Sequence, residues 1–508
     1  MQSIVVNSLL LPLLPLMLPC VLILLALKLW NIYIENTRDM NCSAPLPDGS
    51  MGIPFIGETV QFMFQGVDFY RKKFQKHGPI FKTHIIGKPT IRVIGTENVR
   101  RILQGDGDIV EQLYPKTIRS LLTSNSESIL FSNGQVHERL RKVTSKVFHI
   151  SRLASYVPFI QKYTDEAATR WCTGGRVSGQ DECRSLLFRI AGKVMCNFDY
   201  DENETRHLSN VYQTMVDNIF SLPIDLPGSG FNKALKARNI LHSKVEANLR
   251  DKREHAQCES EFVDALSLIS DAMGECGKPV SAQQLKGFAL ELLFAGHTTS
   301  ATAATMMLLY LAKHPDVLEK VRQELEEHDL ENNVAPLTLE AVTKLKYVHC
   351  VVKEVLRISP PIGAGFRRVI KTFELGGKQI PAGWTVIFSI RETQNLAPNY
   401  SKPEEFDPER FMPDRQEDKK GDRFSYLPFS GGPRNCIGKQ LALLMLKILL
   451  IQLTKSCRWK LVDPENVVVN LLPSPYPVDG LPLQFTRLDC NANRLDIKGK
   501  DRNGDVAC

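Results

Sequence analysis

Ten residues towards the C-terminus carry the clearest chemistry in the sequence. Phe429-Ser430-Gly431-Gly432-Pro433-Arg434-Asn435-Cys436-Ile437-Gly438 has the form F-x-x-G-x-R-x-C-x-G, followed by Ala442 on the helix that it opens. A cysteine just before a helix has its thiolate favoured by the helix dipole and by amide N–H groups, and Gly432 and Gly438 allow the tight turns that aim those amides at sulfur. Such a thiolate is a ligand for haem iron, onto which it pushes electron density. Arg434 suits a haem propionate, because guanidinium and carboxylate match bidentately. A buried cysteine beside a glycine turn is the ordinary alternative, and five fixed positions in ten residues argue against it.

A second constellation is Glu354-Val355-Leu356-Arg357, whose spacing places acid and base on one helical face. E-x-x-R recurs at Glu35/Arg38, Glu97/Arg100, Glu138/Arg141 and Glu319/Arg322, where a solvated pair is the default. Order sets the 354/357 copy apart: Pro360-Pro361 follow, then Pro408-Glu409-Arg410-Phe411, then the cysteine loop. Glu354, Arg357 and Arg410 are expected to form a buried charge network that fixes the fold around a cofactor.

These residues need elements to hold them. Ser281 and Gln284 form a capping box, and apolar periodicity then runs to Ala312, before His314-Pro315, predicting a helix of about 45 Å. Its middle breaks into Ala295-Gly296-His297-Thr298-Thr299-Ser300. Small residues there suit a close helix crossing. Alternation predicts strands at 80–94, around Gly87-Lys88-Pro89, and at 372–390, with a turn at Gly376-Gly377. Helical periodicity dominates between them up to about residue 358, and a last helix covers Leu441 to Leu453. The fold class is mainly α with a small β region.

No residue from Leu9 to Leu27 is charged, a length that matches a bilayer core, and no Lys or Arg precedes the run. An uncleaved anchor with its C-terminal side cytosolic is therefore expected, Lys28 and Arg38 lying just after it. The domain reading is an N-terminal membrane anchor at 1–30, a Pro/Gly hinge at 31–57, a catalytic domain at 58–487 and a polar tail at 488–508. The 508 residues are 43% hydrophobic and 23% charged, which excludes a disordered or multi-span chain. The 12 cysteines stand singly with no C-x-x-C, as in a reducing compartment, and the net charge of +7 is too dispersed to support nucleic-acid binding.

The three motifs, in this order, resemble those of the cytochrome P450 superfamily of haem-thiolate monooxygenases, and the resemblance extends over essentially all residues after the anchor. It implies the P450 fold, with the long helix crossing the haem. It implies haem b (iron-protoporphyrin IX) with the Cys436 thiolate as axial and metal ligand, and a cofactor cradle that includes Phe429, Gly432, Gly438, Ala295 and Gly296. Arg434, Arg367, Arg141 and His137 match propionate positions. Thr299 matches the oxygen-side hydroxyl. The family's acid before it is replaced by Thr298, so Thr298 and His297 join Thr299 as candidates for the proton relay. There is no Walker loop or G-x-G-x-x-G, so NADPH serves only through a separate partner, NADPH–cytochrome P450 reductase. Arg139, Lys142, Lys146 and Lys439 form a basic face that would attract an acidic donor or is simply solvated. The family setting places the enzyme in the endoplasmic reticulum membrane, single-pass, with its catalytic domain cytosolic.

Local runs are similar to the retinoic acid hydroxylase branch: Phe81-Lys82-Thr83-His84, Phe220-Ser221-Leu222-Pro223-Ile224-Asp225 and Tyr476-Pro477-Val478-Asp479-Gly480-Leu481-Pro482. Tyr114 stands where that branch has Trp, and Gln394 where it has His. The resemblance implies hydroxylation of a small hydrophobic, lipid-like substrate such as retinoic acid. Tyr114, Phe220, Leu222, Phe294 and Phe366 are candidate pocket walls, and Arg92 a candidate cation for a carboxylate. A sterol or triterpenoid oxidase, a peroxide-rearranging haem-thiolate isomerase and a haem-based lipid-binding or sensor protein are the alternatives.

Overall fold

The capping box forms as its residues dictate: the Ser281 hydroxyl accepts from the Gln284 N–H, and the Gln284 side chain accepts from the Ser281 N–H. From it the helix Ala282–Lys313 runs for 32 residues, about 48 Å, until Pro315 opens the next helix, Pro315–Glu327. Composition alone would let this helix cross a membrane, but 67% of its apolar window is buried, which makes it a core helix.

The computed structural model describes residues 14–123, 127–254, 262–277, 279–330 and 336–488. The first part of the expected anchor, residues 1–13, and the tail from residue 489 lie outside the described residues. Contacts group the chain into two units: residues up to Leu113 with Ala364–Thr393, and Tyr114–Gly363 with the residues from Gln394 onwards.

The first unit holds a five-stranded sheet, in the order Ile80–Ile85, Lys88–Val93, Thr385–Ser389, Ala364–Val369, Val110–Gln112. Its opening hairpin turns at Ile86 and Gly87, both left-handed (φ 52° and 70°), one step earlier than the sequence suggested. Pro89 thus falls inside the second strand, but before the parallel ladder with Thr385–Ser389 begins at Thr90, so its missing N–H breaks no bond there. Gly376 and Gly377 turn the hairpin Phe373–Leu375/Lys378–Ile380, as expected. Phe81, Ile85 and Ile387 of the sheet share one apolar cluster with Phe69. The helix Leu14–Asn36 leaves Val21, Leu22, Ile23, Leu24, Leu25 and Leu29 exposed. Its Trp30 is buried, edge-on to His84 with ring centroids 5.0 Å apart.

The second unit is helical. The long helix packs on Gly179–Cys196, Lys116–Thr123, Gly230–Glu254 and Lys439–Ser456. Leu290, Leu293, Met306, Leu446, Ile448 and Val157 belong to one core. A three-stranded antiparallel sheet, Arg176–Ser178, Pro482–Arg487, Cys457–Leu461, lies outside the expected strands.

Candidate active site

The cysteine loop is shaped by its own backbone. Ser430 (φ 58°) and Gly432 (φ 70°) are left-handed, a single 3₁₀ turn covers Gly432–Arg434, and the Cys436 N–H closes the loop on the Phe429 carbonyl at 2.9 Å. Gly438 then begins the helix Lys439–Ser456, and its backbone N–H bonds to the Cys436 sulfur. The sulfur is ringed by protein yet accessible. Burial raises the thiol pKa, opposed by the Gly438 amide and then by Arg141 and Lys439.

Of the four expected propionate partners, Arg141 and Arg434 meet at the cysteine loop within the second unit. Arg141 donates to the Asn435 backbone carbonyl at 2.9 Å and to the Asn435 side chain, while Arg434 donates to the Ser132 carbonyl at 2.9 Å and to Asn133 Oδ1 at 2.6 Å. His137 is buried one helical turn before Arg141. Burial lowers the Arg141 pKa, the Cys436 sulfur opposes this, and Arg434 adds to it. Two mutually repelling guanidinium groups beside a sulfur donor suit a cofactor that brings both a metal and carboxylates. Arg367 lies in the first unit, where it pairs with Asp106 at 3.2 Å and its guanidinium carbon stands 5.2 Å from the centre of the Phe388 ring.

On the long helix the polar residues diverge. Thr299 Oγ1 donates to the Ala295 carbonyl at 2.7 Å, and Ala295 is exposed in the middle of an otherwise buried helix. A Cβ on Gly296 would meet only the Met195 methyl at 3.5 Å, an ordinary contact, so no close helix crossing demands glycine there. Small residues therefore leave open room along the Ala295/Thr299 stripe, which fits a flat cofactor and a small ligand. Thr298 instead bonds the Tyr212 hydroxyl at 2.9 Å, and His297 bonds the Arg184 carbonyl at 2.9 Å, its ring edge-on to Phe188 and Tyr212. Burial pulls the His297 pKa down to about 4. A step of 100° per residue separates these two side chains from that of Thr299, and the structure does not bring the three together as a relay.

The charge network assembles. Glu354 accepts from Arg357 at 2.7 and 2.9 Å, from Arg410 at 3.0 Å and from the Asp407 N–H at 2.9 Å, and Arg410 reaches Glu417 at 2.7 Å. Glu354, Arg357 and Arg410 are fully buried. Gln394, whose identity the sequence left unexplained, ties this network to the loop. Its Nε2 donates to the Arg357 carbonyl at 2.8 Å, and its Oε1 accepts the Leu427 N–H at 2.7 Å.

The expected substrate walls are scattered. Tyr114 stands edge-on to Phe131 at 5.0 Å, and Phe294 packs at the margin of the core. Phe220 and Leu222 are 60% and 74% exposed on the connection after the helix Glu202–Asp217, so they are surface residues rather than walls. Phe366, in the first unit, is partly exposed. Arg92, expected as a cation for a substrate carboxylate, is instead neutralised by Glu392 at 3.2 Å and stacked on Tyr70 at 4.3 Å. On the basic face, Arg139 and Lys146 are paired with Glu127 and Glu275.

One residue escaped the sequence reading. Glu291 is buried inside the long helix and accepts the Leu130 N–H. Burial raises its pKa to about 7, opposed by the Ser128 hydroxyl and by the Leu130 and Ile129 amides. An acid within the apolar run Phe288–Phe294 was the available signal.

Comparisons with known proteins agree with this geometry. The sequence model of the cytochrome P450 family matches residues 47–476. Human cytochrome P450 26B1 is 43% identical over 474 residues, 92% of each chain, and zebrafish cytochrome P450 26A1 is 42% identical over 478 residues, 92% of this chain and 96% of its own. The structure of cyanobacterial CYP120A1 with retinoic acid bound superposes with a TM-score of 0.80 at 32% identity, covering 88% of this chain and all of that one. With a family model matched over most of its length and relatives more than 40% identical over nine-tenths of it, the chain belongs to the cytochrome P450 family and is a monooxygenase.

Proposed function

We propose that this monooxygenase is anchored in the endoplasmic reticulum membrane and hydroxylates retinoic acid, as a retinoic acid 4-hydroxylase does. The observation that carries the substrate is the likeness, over 88% of the chain, to a P450 solved with retinoic acid bound. The anchor rests on the helix Leu14–Asn36, whose leucine-rich surface is exposed.

Haem b, bound at Cys436, would supply the activation of dioxygen for insertion into a C–H bond. Cys436 would supply the sulfur that holds its iron, and the Gly438 amide restrains the charge on that sulfur. Arg141, Arg434 and His137 would hold its propionates. Thr299 Oγ1, on the accessible stripe of the long helix, passes the proton that oxygen activation requires; His297 and Thr298 brace the helix against its neighbours. Electrons come from NADPH–cytochrome P450 reductase.

The test is incubation of the full chain with reductase, NADPH and all-trans-retinoic acid in lipid vesicles. A hydroxylated retinoid is expected. Preferential oxidation of a sterol or triterpenoid, turnover of a hydroperoxide without NADPH, or a ligand-induced spectral shift with no product would each refute the assignment.

A further inference from the structure

Glu291, Ala295 and Thr299 are spaced i, i+4, i+8 and so form one stripe of the long helix, with about 12 Å along the axis between the ends. At the far end of that stripe Glu291 meets the segment 128–133. The segment is wound on Ser128: its hydroxyl accepts from the Leu130 and Phe131 amides at 3.2 and 3.3 Å, and the Ser132 hydroxyl accepts from the Ser128 N–H at 3.2 Å. The Glu291 carboxylate takes the Leu130 N–H from the helix side. Two consequences run outward from this point. Phe131, next to the held amide, carries the ring against which Tyr114 stands at 5.0 Å. Ser132 and Asn133, at the segment's other end, supply the oxygens that hold Arg434.

We propose that Glu291 is a specificity-determining positioning residue: by clasping residues 128–131 from within the long helix, it fixes the Tyr114–Phe131 wall that orients an elongated apolar substrate relative to Thr299. An acid buried in an apolar helix face is retained only where its bonds do something that leucine cannot. Here the bonds are all to one loop, and among the described residues no cation pairs with the carboxylate. The arrangement is therefore a loop clasp and not an ion pair.

This inference rests on the lipid-hydroxylase reading, so wild-type turnover is measured first, and the variants are judged against it. Amide exchange over residues 128–133, measured on haem-loaded protein without substrate, reports the clasp independently of that reading. Glu291→Leu removes the acceptor; Glu291→Gln keeps an oxygen for the Leu130 N–H. The expected result for Glu291→Leu is exchange and KM for retinoic acid each raised about tenfold with kcat changed less than about threefold, and both restored to within about threefold of wild type in Glu291→Gln. The reduced, carbon-monoxide-bound spectrum is expected to stay unchanged in both. Wild-type exchange and KM in Glu291→Leu would overturn the proposal, as would a failure of Glu291→Gln to restore them. Should Glu291→Leu not take up haem, Ser128→Ala, which unwinds the segment from its own side, is expected to raise exchange and KM about threefold; no change in either would overturn it.

Discussion

Gln394 offers the sharpest test of how the cysteine loop is held. Its side chain is fully buried and satisfies two backbone groups at once: the Arg357 carbonyl at the end of the helix Lys346–Ile358, and the Leu427 N–H two residues before Phe429. Gln394→Leu keeps the volume but strands a buried carbonyl and a buried amide. Each stranded group costs about 1–3 kcal/mol, so a loss of about 2–6 kcal/mol is expected. Gln394→His is different. A neutral imidazole has one donor and one acceptor, which is what the two groups require, so at pH 8 the loss should stay below about 1 kcal/mol. Protonation removes the acceptor, so the His variant should lose more stability than wild type as pH falls through about 6.5. The assay is the midpoint of urea unfolding at pH 8 and pH 6, followed by far-UV circular dichroism and by the visible band of the haem-loaded protein. Gln394→Leu within about 0.5 kcal/mol of wild type, or a His variant with no added pH dependence, would refute the reasoning.

Cys436→Ser is expected to abolish both product and the red-shifted band of the reduced, carbon-monoxide-bound protein, and an unchanged band would remove the sulfur from the site. Thr299→Ala should cut product formed per NADPH by about 10²-fold, the usual scale of a positioned proton donor. Thr298→Val, whose side chain meets Tyr212, should leave that ratio alone and lose about 1 kcal/mol of stability in thermal unfolding. The buried pair Glu291 and His297 should tilt stability in opposite directions. Glu291, raised to about 7, contributes stability that is whole below its unfolded value of 4.5 and fades as pH rises to 7. His297, lowered to about 4, contributes stability that is whole above its unfolded value of 6.5 and fades as pH falls to 4. Between pH 4.5 and 6.5 the slopes offset, so urea unfolding of Glu291→Gln should steepen upward with pH, and that of His297→Gln downward, by about 3 kcal/mol over the window.

What the sequence made legible follows the range of the interactions. The long helix was readable from both ends because its cap and its stop are local: Ser281, Gln284 and Pro315 act within a turn of the termini they define. The cysteine loop was readable because its shape is set by its own φ angles and amides. The Glu354–Arg357–Arg410 network needed only the order of three motifs. The strands Arg176–Ser178 and Ala364–Val369 escaped, since one has three residues and the other carries Arg367 and Arg368, and neither shows an apolar alternation. Arg92 and Phe220 misled for a common reason. Residue type names a chemistry, but what claims the side chain is set by the fold: Glu392, 300 residues on, for Arg92, and solvent for Phe220.

The altered relay segment shows how far spacing alone can be taken. Written as a string, His297, Thr298 and Thr299 are adjacent and look interchangeable as proton carriers. Wound at 100° per residue they face three directions, and only Thr299 shares the accessible stripe of Ala295. Tyr212 and Arg184 engage the other two, so replacing the family's acid by Thr298 adds a brace to the helix and adds no carrier beside Thr299. The acid that does share the stripe is Glu291, two turns earlier, and its bonds go to the 128–131 segment. On the proposed mechanism, proton delivery would therefore run through Thr299 and solvent reaching it along that stripe. On this reasoning Thr298→Glu should leave product per NADPH unchanged, since a side chain at 298 is directed at Tyr212 and not along the stripe, and should lower stability by breaking the Tyr212 bond; a raised product per NADPH would refute it.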